Sequence, residues 1–225
     1  MILAELDEDR FYFQPQQQII KANGDKVNLW SSRDSLVLKM LSLYLTHRLP
    51  NSLLCTHLKR HGGAKLTVNH VYRASQRYPF VFRTDVKSYY ESIHHTLLLE
   101  KFRQHIDDNL ILNLIAQYLT RSVDIGGNFK TYSKSISSGC PLSPLIASYY
   151  LYELDNAFER KRVFYRRYMD DIIVLAKSRW QLRRAIRCIN QHFARLKVNS
   201  IQIKPLLVIP QKDLISWVIN LTEMH

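Results

Sequence analysis

The sequence, 225 residues long, predicts an α+β fold, and three observations predict it. A run of strand-forming residues ends in an acid at Asp85, a glycine-containing loop leads into a helix at Ser143, and an apolar hairpin carries adjacent aspartates at Asp170 and Asp171. Strands and helices therefore alternate irregularly along the chain, and the hairpin makes at least part of the sheet antiparallel.

Local signals place each element in turn. Asp34 is a suitable N-cap for a helix that ends before Pro50, and Ser143 followed by Pro144 is a strong helix start. Gly126-Gly127 predicts a turn. The resulting elements are helices at 35–48, 68–75, 96–105, 109–121, 143–160 and 180–196, a strand at 78–84, and hairpin strands at 164–168 and 172–176 around Met169-Asp170.

The carboxylates are the chemically informative residues. Adjacent aspartates repel each other and lose solvation in an apolar hairpin, so Asp170 and Asp171 do not serve packing. A divalent cation removes this penalty, because hard cations bind carboxylate oxygens. Together with Asp85, the pair has the composition of a two-metal phosphoryl-transfer site. An Asp-Asp pair taken alone is equally typical of a turn.

Four ordered motifs carry a family resemblance. They are His61-Gly62-Gly63, TDVKSYY from Thr84 to Tyr90, GCPLSPL from Gly139 to Leu145, and YMDD from Tyr168 to Asp171. In this order they resemble bacterial reverse transcriptases of the group II intron and retron type, over roughly residues 10–200. The resemblance implies right-hand polymerase fingers at 1–77 and a palm at 78–200, whose antiparallel sheet is backed by helices, with the thumb absent.

The resemblance also implies roles for individual residues. It implies that Asp85 and Asp170 are ligands of two Mg²⁺ ions, and that Mn²⁺ can substitute for Mg²⁺. It also implies that Asp171 is a weaker ligand and that the Val86 carbonyl binds the nucleotide-bound ion. The implied substrate contacts are Tyr90, Ser138, Gly139, Lys26, Arg33, Tyr168 and Met169, with Lys39 as a further triphosphate candidate.

Tyr90 is implied to select the sugar. An aromatic ring five residues after Asp85 clashes with a ribose 2′-hydroxyl, so only deoxynucleotides enter; an ordinary core aromatic is the alternative. The chain departs from the Pro-Gln-Gly of group II intron enzymes, since Ser137-Ser138-Gly139 stands there. The missing glutamine leaves open how the template-nucleotide pair is held.

Charge and composition predict the partners. Lys and Arg number 32 against 19 Asp and Glu, which gives +13 and favours a polyanion. The three cysteines, Cys55, Cys140 and Cys188, do not suggest a disulfide framework, no apolar run is long enough to span a membrane, and a cytoplasmic location is expected. The expected partners are an RNA template, a DNA primer, dNTPs and a dedicated structured RNA. A non-catalytic nucleic-acid-binding remnant and an RNA-dependent RNA polymerase are the alternatives.

The tail at 201–225 departs from the family. Reverse translation of 201–220 in a shifted frame permits SNKTFIGNTPKGFDFLGYK, which restores two motifs that the family carries after its palm. We therefore hypothesise a one-nucleotide frameshift near codons 197–201, with an out-of-frame peptide beyond about residue 200. In the alternative, Lys204 is the triphosphate lysine of a diverged tail.

Overall fold

The computed structural model describes residues 2–58 and 61–202, the last three by their backbone alone. Its elements, in chain order, are α1 (Ile2–Asp7), β1 (Gln16–Ile20), β2 (Lys26–Leu29), α2 (Ser32–Arg48), α3 (Gly63–Ser75), β3 (Phe80–Val86), α4 (Tyr89–Ser92), α5 (His95–Phe102), α6 (Asn109–Leu119), β4 (Ser122–Ile125), β5 (Asn128–Thr131), α7 (Ser143–Tyr150), α8 (Tyr152–Glu159), β6 (Phe164–Tyr168), β7 (Asp171–Ala176), α9 (Arg179–Leu196) and β8 (Ser200–Gln202). The predicted mixture of helices and sheets is confirmed.

The chain divides into two compact units that exchange segments. The first unit contains residues up to Leu49 and Tyr90–Ala147, and the second contains Pro50–Tyr89 and the described residues from Ser148 onward. This division is interleaved along the chain, and the fingers at 1–77 and the palm at 78–200 stay a prediction.

The first unit is built on a four-stranded sheet in the order β2-β1-β4-β5. The β1 strand is antiparallel to β2 and parallel to β4, and β4 and β5 form a hairpin through the predicted turn at Gly126 and Gly127. Helices α5 and α6 pack against each other, with Leu98, Phe102 and Ile115 in the core. The sequence did not predict any of these four strands.

The second unit is built on an antiparallel sheet in the order β6-β7-β3-β8. One face carries Val81, Ile173 and Leu175, which pack with Val71 and Ala74 of α3. Helix α9 packs against β3 and β7, and α8 packs against α9. The predicted hairpin is confirmed: β6 and β7 pair from Phe164↔Leu175 to Tyr168↔Asp171, so Met169 and Asp170 form a two-residue turn.

Two helix predictions need correction. Ser31, not Asp34, caps α2: its Oγ accepts the backbone N–H of Asp34 at 3.1 Å, while the buried Asp34 carboxylate accepts the N–H of Gln14 at 3.0 Å. The predicted continuous helix at 143–160 is interrupted at Leu151, which has φ −97° and ψ 6°. Before the break, the Tyr150 hydroxyl donates to the Leu196 carbonyl. After the break, the Asp155 carboxylate accepts from Arg167 of β6. The two short helices are therefore each held by a separate hydrogen bond.

Helices long and apolar enough to cross a membrane do not occur among the described residues. In the predicted aberrant tail, only the backbone at 201 and 202 is described, as part of β8 beside β3. Residues 203–225, including Lys204, lie outside the described residues, and the frameshift hypothesis stays a prediction.

Candidate active site

Strand pairing brings the three predicted carboxylates to one end of the sheet in the second unit. The last residue pair between β3 and β7 is Thr84↔Ile172, and the next residues in the two strands are Asp85 and Asp171. Asp170 precedes β7 in the hairpin turn. Aspartates far apart in the sequence are therefore neighbours, because β3 and β7 are paired in this register.

Burial and the charges of neighbouring acids perturb Asp170. Burial, followed by the charges of Asp171 and Asp85, raises the pKa of Asp170 to about 6. A backbone hydrogen bond and the charge of Arg167 oppose this rise. The site therefore concentrates negative charge that a bound cation would relieve.

Asp171 is paired with a cation on the neighbouring strand. The Arg83 guanidinium donates to Asp171 Oδ1 through Nη2 at 3.0 Å and through Nε at 3.3 Å. Arg83 lies two residues before Asp85 on β3, so both project from the same face of the sheet. The ion pair occupies one carboxylate oxygen of Asp171.

A complete metal-ligand cluster is not formed: among residues 2–58 and 61–202, no group of three or more acidic, His or Cys side chains is arranged to hold a metal ion. The chemistry of the donors nevertheless fits a hard divalent cation, since Asp85 and Asp170 are carboxylates and the charge of Asp85 raises the pKa of Asp170.

The hairpin turn is held by a buried network that sequence reasoning missed. Arg167, fully buried, donates to both carboxylate oxygens of Asp155, to the Ser148 carbonyl at 3.1 Å and to the Met169 carbonyl at 2.7 Å. Tyr165 donates to the same Asp155 at 2.7 Å. An arginine inside an apolar strand was the available signal, because a buried charge needs a partner.

His57 also contacts the hairpin turn. The backbone N–H of Met169 donates to His57 Nδ1 at 3.1 Å, and the His57 ring meets the buried Tyr168 ring edge to face, with centroids 6.0 Å apart. Met169 itself has φ +53°, an uncommon conformation for a residue with a side chain. These contacts fix the turn that carries Asp170.

A cavity of about 660 Å³ in the first unit brings together three predicted substrate contacts, Lys26, Ser138 and Gly139. Among the described residues, its charged lining consists of Lys26, Arg121, Lys130 and Lys134 and one carboxylate, Glu91. The cavity is therefore electropositive and suits a phosphate-bearing ligand.

Buried hydrogen bonds hold Ser137, which lines this cavity. Ser137 Oγ accepts from Gln16 Nε2 at 2.7 Å and from the Trp30 indole at 3.2 Å, and its backbone N–H donates to the Tyr118 hydroxyl at 3.2 Å. Gly139 has φ +74°, yet a Cβ built there meets no atom within 4 Å. The backbone conformation, rather than crowding by the protein, calls for glycine at this position.

The family is decided by a match to the model described as Reverse transcriptase (RNA-dependent DNA polymerase), which covers residues 32–205 and hence more than half of the chain. The chain belongs to the reverse transcriptase family. The three carboxylates, Tyr90 and the Ser138-Gly139 loop all lie inside the matched segment.

Curated relatives of this reverse transcriptase are much longer. An uncharacterized 91 kDa protein in cob intron of Schizosaccharomyces pombe is 24% identical over 97% of this chain and 29% of its own length. Protein YkfC of Escherichia coli is 30% identical over 34% of this chain and 20% of its own length. The chain thus spans less than a third of either relative.

Two solved structures resemble the chain at 19% identity and a TM-score of 0.49 over 87% of its length. They are titled Partial Cas6-RT-Cas1--Cas2 complex and Cas6-RT-Cas1--Cas2 complex, and 35% and 22% of their chains are covered.

The remaining predicted contacts have distinct surroundings. Val86 is buried at the end of β3. Tyr90 is half-buried, and its backbone carbonyl accepts a hydrogen bond from the backbone N–H of Ile136 at 2.8 Å. Arg33 pairs with Glu5 and Asp34 and lies 4.2 Å from the Phe11 ring centroid, so its charge is engaged within the first unit. Lys39 is exposed on α2.

Proposed function

We propose that this chain catalyses RNA-directed DNA synthesis, adding dNTPs to a DNA primer on an RNA template. The observation that carries the proposal is the convergence of Asp85, Asp170 and Asp171 at one end of the second unit's sheet, inside the segment that matches the family. Two acids that raise the pKa of a third at the end of a sheet are costly for folding, and a catalytic role explains why they are present.

Asp85 and Asp170 would hold two Mg²⁺ or Mn²⁺ ions, with the Val86 carbonyl as a further donor and Asp171 as the weaker ligand. Such ions, when bound, activate the primer 3′ oxygen and stabilise the leaving pyrophosphate. The chain's own contribution is placement: Arg167 and His57 fix the turn that presents Asp170, and Arg83 holds Asp171 at the start of β7. Tyr168 and Met169 would present this turn to the primer end.

The basic cavity of the first unit would receive the incoming nucleotide or the template, with Lys26 near phosphate and Ser138-Gly139 along the backbone wall. Tyr90 would exclude a ribose 2′-hydroxyl, and Arg33 would contribute only if it left its present acidic partners. A dedicated structured RNA and a cytoplasmic location complete the proposal.

Primer extension on an RNA template, with dNTPs or NTPs in parallel, tests the proposal. We expect Mg²⁺-dependent extension with dNTPs and its loss in Asp170→Asn, because the substitution removes a carboxylate ligand without adding bulk. Asp107→Asn, an exposed acid, is the matched control and should keep activity.

Extension by Asp170→Asn at the wild-type rate would refute the site assignment. Preferential use of NTPs would identify an RNA polymerase instead. Nucleic-acid binding without any extension, in the presence of Mg²⁺ or Mn²⁺, would indicate the non-catalytic alternative.

A further inference from the structure

A second basic cavity lies in the second unit, and none of the predicted catalytic or substrate residues lines it. It has a volume of about 550 Å³, is open to solvent, and is lined by the C-terminal half of α3, the residues that follow it, and strand β6. Its lining includes His70, Arg73, Arg77, Tyr78, Phe164 and Arg166. This volume lies within the usual range for small-ligand pockets.

In the part of the chain that the structure describes, the cations around this cavity lack counter-charges. Among the described residues, no carboxylate lies within ion-pair distance of Arg73, Arg77 or Arg166. Close cations without an acid repel one another, so the cavity is a place where an anion would be stabilising.

Two nitrogen atoms in the cavity wall, Arg166 Nε and His70 Nδ1, are buried and have no hydrogen-bond partner in the part of the chain that the structure describes. The Nη1 atom of the same guanidinium donates to the Tyr165 carbonyl at 2.8 Å. A buried N–H group without a hydrogen-bond acceptor, such as that of Arg166 Nε, costs about 1–3 kcal/mol. A phosphate oxygen would both accept this hydrogen bond and neutralise the charge of the guanidinium.

The electrostatics of His70 agree with this reading of the cavity. Burial, followed by the charges of Arg166 and Arg73, lowers the pKa of His70. An anion placed among these groups would reverse the effect of both arginines. His70 is therefore a local reporter of what enters the cavity.

Aromatic rings stand beside the cations. The Arg166 guanidinium lies 5.0 Å from the Phe164 ring centroid, and the Lys177 ammonium lies 5.8 Å from that of Tyr78. Tyr72, on the same wall, is 52% exposed. Cations that take phosphate and rings that take bases are the combination used to bind single-stranded nucleic acid.

We propose that this cavity binds a nucleotide of single-stranded RNA, with its phosphate among Arg73, Arg77 and Arg166 and its base against Tyr72 or Tyr78. The cavity and the hairpin turn share strand β6, whose residues Phe164 and Arg166 precede Tyr168 on the same face. Tyr168 is four positions after Phe164, a span of about 14 Å along the strand. An RNA strand held here would pass close to the catalytic turn without occupying the acidic site.

Fluorescence anisotropy with a labelled single-stranded RNA of about ten nucleotides tests the proposal on the whole chain, without metal or dNTPs. Each lost phosphate contact to a single strand lowers the slope of log affinity against log salt by about 0.7. We expect Arg73→Gln with Arg77→Gln to lower it by about 1.4.

The matched control is Arg183→Gln with Arg187→Gln, an exposed pair with the same spacing on α9. An equal loss of slope in both double variants would overturn the proposal, because it would show a general effect of net charge.

Nuclear magnetic resonance of the His70 ring, assigned with His70→Gln, gives a local measurement. We expect the RNA to raise the pKa of His70, and inorganic phosphate at the same phosphate concentration to raise it much less. No change with RNA, or an equal change with phosphate alone, would overturn the assignment to a strand. Because no turnover is measured, this result is independent of whether the chain polymerises DNA.

Discussion

Asp170 shows how a single side chain connects the fold to its proposed chemistry. It sits in a turn whose geometry is fixed by neighbours, and burial together with Asp171 and Asp85 disfavours its ionised form. Such an arrangement lowers stability when every acid is charged. A cation bound at the proposed site would offset this cost, so the cost in the metal-free protein tests the proposed metal-binding role.

Asp170→Asn should therefore stabilise the metal-free protein at neutral pH. The raised pKa means that the stability due to protonated Asp170 is present below its unfolded pKa and is lost as pH rises through about 6. We expect the variant to exceed the wild type by about 1–2 kcal/mol at pH 7.5, after allowing for solvent screening, and to approach it near pH 4.

Urea unfolding with a chelator present measures this difference, with Asp107→Asn as the control. A difference that does not change between pH 4.5 and 7.5 would contradict the assigned pKa. Added Mg²⁺ should stabilise the wild type and leave Asp170→Asn nearly unaffected, because a ligand stabilises only the state that binds it.

Tyr90 carries the prediction on sugar selection. Tyr90→Ala should raise ribonucleotide incorporation relative to deoxynucleotide incorporation by roughly ten- to a hundredfold, since a ring that excludes the 2′-hydroxyl is removed. Tyr90→Phe keeps the ring and should keep the preference. Competition between dNTPs and NTPs in single-nucleotide extension measures the ratio, and an unchanged ratio in Tyr90→Ala would assign Tyr90 to the core.

At the scale of elements, the β6–β7 hairpin depends on a side-chain network as much as on its strand pairing. Arg167 connects β6 to α8 through Asp155 and also binds the carbonyl of Met169 in the turn. Leu54 and Thr56 hydrogen-bond to the backbone of Arg167 along the outer side of β6. The turn is therefore anchored at both ends to parts of the second unit that lie far apart in sequence.

Breaking the Arg167–Asp155 pair should be strongly destabilising. We expect Arg167→Lys to lose about 3–5 kcal/mol of unfolding free energy, because lysine cannot reproduce the forked contacts and leaves Asp155 poorly paired in the interior. Urea unfolding measures the change, and Arg160→Lys on the surface is the control.

The double variant Arg167→Met with Asp155→Leu should lose less than the sum of its single variants, since neither charge is then left alone. Additive losses would indicate that Arg167 and Asp155 act through packing and not as a pair.

The sequence was most informative where patterns are local. The β6–β7 hairpin and α9 were predicted to within a residue, because apolar runs, turn residues and helical periodicity are read over short windows. The first unit's sheet was missed because every residue of β5 is exposed and β1 begins Gln16-Gln17-Gln18, so neither shows an apolar alternation.

The candidate site shows the same limit. The identity of the three acids followed from their residue type and order, whereas the pairing of Asp171 with Arg83 depends on register between β3 and β7. The role of Arg167 depends on Asp155, twelve residues earlier and on another element. Contacts of this kind are set by tertiary packing, and a single sequence does not specify them.

At the scale of the whole molecule, the excess of 13 positive charges is partly organised into two cavities. The first unit gathers Lys26, Lys130 and Lys134 around the Ser138-Gly139 loop, and the second gathers Arg73, Arg77 and Arg166 beside β6. Each cavity also presents polar backbone or aromatic surface. This distribution favours a phosphate-bearing chain over a diffuse attraction to any acidic partner.

Salt dependence of RNA binding should report this organisation. A strand that contacts the three cations of one cavity would release about three counterions' worth of charge, which gives a slope of log affinity against log salt of about −2. Lys26→Gln with Lys130→Gln should lower the slope for the first cavity by about 1.4, and Arg73→Gln with Arg77→Gln should do the same for the second. Anisotropy titrations across a range of salt concentrations, with about 20-nucleotide and about five-nucleotide RNAs, measure both effects. If neither double variant changes the slope with either RNA, the cations of the two cavities do not contact RNA phosphates.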